Sequence, residues 1–438
     1  MGTSITDLPS NALPLAGSVV FPVVQAGQTR QATLSSLTSY LSGATYDFDG
    51  AASGVNNRQP IASPHKNNFF STTQTFIGSL SVTGGLILGT NACGATCTIT
   101  MGNCNQVNAD CATIAGGQCN TICANGKLSF IGAGDNISIE KCWSVIGGGC
   151  DNYTAEAYGV IGGGCCNRVC GGYGAVLGGH NNRAIGLSSL AVGGYCNDAC
   201  GSASVVVGGR EGLAVGHSTF IGGGGCNTAF GDTSTVVGGF SSRGTGNCSF
   251  VGGGFCNRSL ANFTTTVGGG DNLASGIWSV VVAGSGNSSC GDASFVGGGH
   301  YNLAFANCSS VVGGLSNLAC GVKSTVVGGV SSIASGACSF IGGGEGNVNS
   351  GVNAFVGGGC CNIASGLSSV VVGGCYNRVS GTGSTITGGI SSLASAACTF
   401  IGGGCKNIAC ATESTVAGGV VNIASGQGAF IGCLLYTS

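Results

Sequence analysis

An apolar residue followed by a run of glycines returns about every 15 residues through most of this chain. Self-similarity at so short a period means stacked, near-identical turns of backbone, because one such unit cannot bury an apolar face alone. The residue before each glycine run can be followed from Ile131 through Ile146, Ile161, Leu177, Val192 and Val207 to Ile401, Ala417 and Ile431, with weaker units upstream at Leu88, Met101 and Ala115. One coil reads Φ-G-G-G-x-x-N, as in Val356–Asn362, and the next Φ-G-G-x-x-N, as in Val372–Asn377. A longer period of about 30 therefore overlies the short one. Phenylalanine accompanies the triple-glycine coils, as at Phe220, Phe250, Phe295, Phe340, Phe355, Phe400 and Phe430.

The pattern predicts an all-β fold, a parallel β-solenoid (a β-roll) of about 15 residues per coil, elongated. Segments such as Ser324–Val327 and Ser369–Val372 are short, β-branched and bounded by glycine, which predicts strands of three to five residues. No proline falls within the coils, so no ladder donor is lost. Glycine supplies corners with positive φ. The coil asparagines Asn152, Asn167, Asn197, Asn227, Asn257, Asn272, Asn302, Asn317, Asn347, Asn362, Asn377, Asn407 and Asn422 are the expected structural turn residues. Asparagine tolerates left-handed φ, and one per coil can stack into a side-chain amide ladder. The lumen of so small a coil admits little beyond Val, Ile, Ala, Ser or Cys.

Charged residues make up only 6% of the chain and the net charge is −2. No basic stripe exists for nucleic acid or for anionic lipid. No apolar run reaches the ~18 residues of a membrane helix, since Leu13–Val24 is short and broken by Pro14 and Pro22. The chain opens without a secretory signal pattern. A surface this poor in charge is expected to face other copies of the chain, and three-fold symmetry closes such a bundle.

The unit S-x-V-V-G-G-x-x-N-x-A-S-G, carried here by Ser368–Gly381 and Ser414–Gly426, resembles the head repeat of trimeric autotransporter adhesins, a parallel β-roll with the core S-x-A-I-G-x-x-A-x-A-x-G. It departs from that core by an asparagine at a small-residue position and by about one extra residue per coil. The G-G-G-x-x-N-x-A-S-G text is also similar to shaft repeats of phage tail-fibre proteins. Residues 7–41, with L-P…P-L-x-G…P-V-V-Q-x-G-x-T and a following helical T-x-x-x-L, resemble the N-terminal attachment segment of such fibres. Residues 75–89 resemble the β-rich segment leading into their shafts. The closing Leu434–Ser438 resembles the junction before the self-cleaving chaperone of endosialidase-type tail spikes. In that comparison Ser438 is the autocleavage residue left on the mature fibre; otherwise it is a point of truncation.

These resemblances imply four parts: residues 1–50 as a virion-attachment segment, 51–90 as a linker and β-rich lead-in, 91–432 as the shaft, and 433–438 as a tail at the cleavage point. They imply a structural protein, the homotrimeric shaft of a phage tail fibre, extracellular on the virion. Its partners would be itself, a tail or baseplate protein through residues 1–50, and a host-surface glycan or protein. The alternative is a cell-surface or extracellular filament adhesin of the autotransporter-head type.

The 27 cysteines fall largely into columns. Cys170, Cys200, Cys320 and Cys410 stand three residues after the coil asparagine, where Ser275, Ser365, Ser380 and Ser425 stand in other coils, which reads as a small packed side chain. Cys150, Cys165, Cys360, Cys375 and Cys405 stand two residues before the asparagine. Cys150/Cys165 and Cys360/Cys375 occupy successive coils, ~4.8 Å apart, and are candidate disulfides. Cys93, Cys97, Cys104, Cys111, Cys119 and Cys123 lack zinc-spaced C-x-x-C pairs and a nearby histidine, so no metal is expected there. The histidines His65, His180, His217 and His300 are scattered, no carboxylates stack in neighbouring coils, and no G-K-[ST] follows the glycines. No catalytic residue, cofactor or enzymatic activity is expected.

Overall fold

The computed structural model describes residues 20–25, 28–33, 86–90 and 99–432. The chain divides into two compact units, residues 1–81 and 82–438. In the first, Val20–Gln25 and Gln28–Thr33 form an antiparallel hairpin with Val20 opposite Thr33. The helical stretch expected after Thr33, most of the linker, and residues 433–438 with Ser438 lie outside the described residues. The Leu86–Thr90 strand belongs to the second unit and opens its stack of coils.

The second unit is a parallel β-solenoid of about 22 turns with about 15 residues per turn. Each regular coil contributes one strand to each of two parallel sheets. Phe220–Ile221 pairs in the first sheet with Thr235–Val236, and Thr228–Ala229 in the second with Arg243–Gly244. A single parallel bridge per coil, such as Gly225 with Phe240, forms a third line of pairing between them. Near its start the stack is irregular: Ile99 pairs with Thr113, Thr113 with Phe130, and only then does the spacing settle at 15. Among the described residues no helix is long and apolar enough to cross a membrane.

Most strands are two residues long rather than three to five. Two corners per coil bend the backbone into the left-handed region and cut the extended runs short. These corners are mostly not glycine. Cys166, Tyr158, Lys323 and Val421 all have φ between 58° and 61°. Each such residue turns its N–H toward the preceding coil, as Cys166 does to the Cys150 carbonyl at 2.9 Å and Tyr158 to the Cys142 carbonyl at 3.1 Å. Its neighbours donate toward the following coil, as Val160 does to Gly174 at 3.0 Å. Left-handed φ costs a side-chain-bearing residue about 1–2 kcal/mol, and this hydrogen bond offsets it.

In each two-residue strand the second side chain points inward, because side chains alternate across a pleat. The first sheet contributes Ile or Val, for example Val311, Val326, Ile341 and Val356; the second contributes mainly alanine, for example Ala304, Ala319 and Ala334. Burying one Val or Ile stabilises a coil by roughly 2 kcal/mol, far less than the cost of ordering its backbone. Stacking is therefore obligatory.

This register corrects the reading of the glycine runs. In double-glycine coils the residue directly before the run faces outward: Leu177, Val312 and Val372 are about half exposed, while Val176, Val311 and Val371 line the core. Coil length does not alternate. What alternates is a size match on the outer face. The Phe355 ring lies 3.3 Å from where a Cβ on Gly357 would stand, and the same relation joins Phe220 to Gly222 and Phe295 to Gly297. Where the first position is Thr325 or Ser310, the residue two places on is Val327 or Val312.

Candidate functional site

The asparagine column and its flanking corner organise the coil. Every expected asparagine lies in one buried column, which also holds Asn182 and Asn287, 15 residues after Asn167 and Asn272. Asn182 closes a regular double-glycine unit, Leu177–Asn182, while Ala283 interrupts the glycines before Asn287; strict counting in fifteens would have found both. None of these asparagines adopts left-handed φ; the residue before each does. The ladder also differs from the amide stack expected. The Asn317 amide donates to the carbonyls of Gly313 at 3.0 Å and of Gly329 in the next coil at 2.9 Å. Its Oδ1 accepts the next coil's Ser332 N–H at 3.0 Å. Each side chain thus pairs with backbone above and beside it: it supplies the partner for the Ser332 N–H and the Gly313 carbonyl, and adds a second donor to the Gly329 carbonyl, which also accepts the Leu315 N–H.

The cysteines avoid the lumen. Every described cysteine is half-buried or exposed, including Cys170, Cys200 and Cys320, half-buried, and Cys410, exposed. The core positions go to Ile, Val, Ala, Asn and Ser instead. Cys93, Cys97 and His65 lie outside the described residues.

Cys150 and Cys165 are parallel-bridge partners in successive coils, as are Cys360 and Cys375. All four are free thiols here. The Cys150 and Cys165 sulfurs are 2.7 Å apart, and the Cys165 and Cys166 sulfurs 3.3 Å. Hydrogen bonding with Cys150, then with Cys166, pushes the Cys165 thiol up to about 12. Cys360 is held up to about 11 in the same way, by Cys361, 3.3 Å away. His180 follows Cys165 in the bridge column, and its ring stacks on Tyr195 at 5.1 Å.

No protein-family model matches this chain, and neither does any curated protein.

Two further surfaces stand out. The outward positions of the first sheet form an apolar stripe along the stack: from Phe130 to Gly432 neither of its two columns holds a charged residue. At the left-handed corner two residues before the stripe runs an aromatic ladder. Trp143 stacks on Tyr158 at 5.0 Å, and Tyr158 on Tyr173 at 4.6 Å. Polar contacts between coils also occur on the second sheet, where Arg183 and Asp198 form an ion pair on its outer face. That contact raises the Arg183 guanidinium further above its already high range.

Two groups make the stack sensitive to alkali. Burial, then a hydrogen bond with Glu140, pushes Tyr153 from 10.0 to about 12. Burial, then the charge of Asp198, pushes Cys200 above its ordinary 9.0. Both are raised in the folded state, so their contribution is complete below the ordinary thiol and phenol range and is lost as the pH rises above it, for Tyr153 toward about 12. Melting followed by circular dichroism should give an unchanged midpoint between pH 6 and 8 and a lower one at pH 11. An unchanged midpoint at pH 11 would contradict this assignment.

Proposed function

We propose that the protein is a structural fibre protein, the shaft of a phage tail fibre or similar appendage, in which three copies of the solenoid pack along their axes. The observation that carries this reading is the uncharged stripe of Phe, Val, Leu, Thr and Gly on the first sheet. At ~4.8 Å per coil it runs ~100 Å, and two residue columns of that length present an apolar area on the order of 700 Å², beyond what a soluble monomer ordinarily exposes. Three such stripes meeting on one axis would cover one another. The stiff stack then acts as a spacer, and the chain's N-terminal segment, residues 1–50, would attach it to a tail or baseplate protein.

Contact with a host glycan or protein would fall on the remaining faces. Tyr158 is stacked on both ring faces and Trp143 and Tyr173 on one each, so the middle of this ladder offers a ring edge and a phenolic hydroxyl. Such contacts are individually weak. Repetition across three chains converts them to firm adhesion through effective concentration.

Sedimentation of the full chain tests the arrangement. The expected result is a three-chain species, with rods ~100 Å long in negative stain. Substituting Val312→Lys and Val372→Lys, both outward on the stripe, should dissociate it at least tenfold more readily. A monodisperse, soluble monomer of the unaltered chain would rule out the bundled shaft.

A further inference from the structure

Ligand-bearing side chains from three successive coils converge on one corner of the solenoid: Cys150 and Asp151, Cys165 and Cys166, and His180. The parallel bridges that join Cys150 to Cys165 and Cys165 to His180 stack these residues one above another. In an extended strand Cys166 would point away from Cys165. Its left-handed φ of 59° turns it back, and the two sulfurs stand 3.3 Å apart. The ligand atoms of Cys165, Cys166 and His180 all lie within 4.8 Å of one another, and so do those of Cys150, Asp151 and Cys165. A tetrahedral ion bonded ~2.3 Å from each thiolate sets its ligand sulfurs about 3.8 Å apart. Cys165, Cys166 and His180 fit one ion after small side-chain shifts; Cys150 meets that group only through Cys165, and its side chain must rotate away from the Cys165 sulfur to become a fourth ligand.

We propose that Cys165, Cys166 and His180, with Cys150 as the fourth ligand, bind a zinc-class divalent ion. Thiolate and imidazole together are the donor set that such an ion prefers. Cys150 is the better fourth donor than Asp151 for two reasons. Its sulfur is 2.7 Å from that of Cys165, and the Asp151 carboxylate already accepts a hydrogen bond from Asn136 at 2.6 Å. A Cys150–Cys165 disulfide would use two of the four donors and leave Cys166 and His180 without a role. The same two columns carry Cys360, Cys361 and Cys375 farther along, but there Glu345 and Ile390 flank the thiols and no imidazole stands in the column beside them.

The site would also solve a problem inherent in near-identical coils, which can slip past one another by whole units at little cost. An ion held by three consecutive coils locks their order. A slip of one coil would bring Tyr195 to the place of His180 and break the ligand set. The cluster stands shortly after the point where the spacing changes from 17 residues, Thr113 to Phe130, to 15, where the register must be set.

Titrating the reduced full-length protein with Co²⁺, then displacing it with Zn²⁺, tests the proposal. The unaltered chain should take up one more tightly held Co²⁺ per chain than Cys165→Ser, with sulfur-to-cobalt charge-transfer absorption that disappears in the variant. His180→Ala should weaken that binding at least tenfold. Serine stands naturally at this column position as Ser285, so Cys165→Ser should keep the β-sheet circular dichroism of the parent. Equal stoichiometry and spectra in the parent and Cys165→Ser would overturn the site. So would a Cys150–Cys165 disulfide found by peptide mapping of protein purified without reductant.

Discussion

Replacing Gly314 by alanine should cost the solenoid about 4 kcal/mol or more locally, while the same change at its neighbour Gly313 should be nearly silent. Gly314 has φ +94°, and a Cβ there would stand 2.2 Å from the Gly329 carbonyl oxygen of the next coil. That oxygen accepts both the Leu315 N–H and the Asn317 side-chain amide, each at 2.9 Å. It cannot retreat without loosening two interactions. Every fifteenth residue from Gly149 to Gly419 is glycine, with φ between 84° and 99°. The adjacent column is open: nothing lies within 4 Å of a Cβ on Gly313, and Ala133 and Ala283 occupy the equivalent place. In a long array the damage spreads only to neighbouring coils, so a single melting curve understates it. Hydrogen exchange should show lost protection in the coils around 310–345 for Gly314→Ala and none for Gly313→Ala. Equal protection in both variants would refute the close-approach explanation.

The second large effect is expected at the asparagine column. Asn362→Ala removes the donor to the Gly358 carbonyl at 2.9 Å and the Gly374 carbonyl at 2.8 Å, and the acceptor for the Asn377 N–H at 3.0 Å. Asn377 is fully buried, so water cannot replace that acceptor. An orphaned buried group costs about 1–3 kcal/mol, and with the weakened carbonyls the loss should reach about 3 kcal/mol or more. Asn362→Ser should be milder. Serine stands in this column at Ser242, Ser332 and Ser392, and the Ser392 hydroxyl accepts the Asn407 N–H at 3.3 Å. Denaturant unfolding combined with hydrogen exchange separates the two variants; identical losses would mean that side-chain volume, not hydrogen bonding, matters there.

Both effects explain why the repeat was legible while its details were not. The invariant glycine and the asparagine are places where contact with the next coil's backbone admits almost one residue type, so they recur in the chain itself. The left-handed corners left no such mark. Cysteine, tyrosine, lysine and valine all occupy them, because what holds the corner is an N–H bond to the preceding coil and not the side chain. The cysteine columns are loosely marked for the same reason. Exchange with serine reads the Cys170 column as small packed side chains; Cys170, Cys200 and Cys320 are half-buried there, but the column also takes Phe230 and Phe305, so the chain alone does not fix a size at that position.

By itself, the order of residues determined the all-β class, the 15-residue coil and the parallel stacking, since a period in the chain is the linear record of an axis in the fold. The fold alone decided which member of each apolar pair turns inward, because Val371 and Val372 are chemically the same and only the pleat distinguishes them. The repeat had already set Cys150 and Cys165 in successive coils, but the fold alone turned Cys166 back beside Cys165 and brought His180 to them. Residues 15 apart become neighbours only once the register of the coils is set.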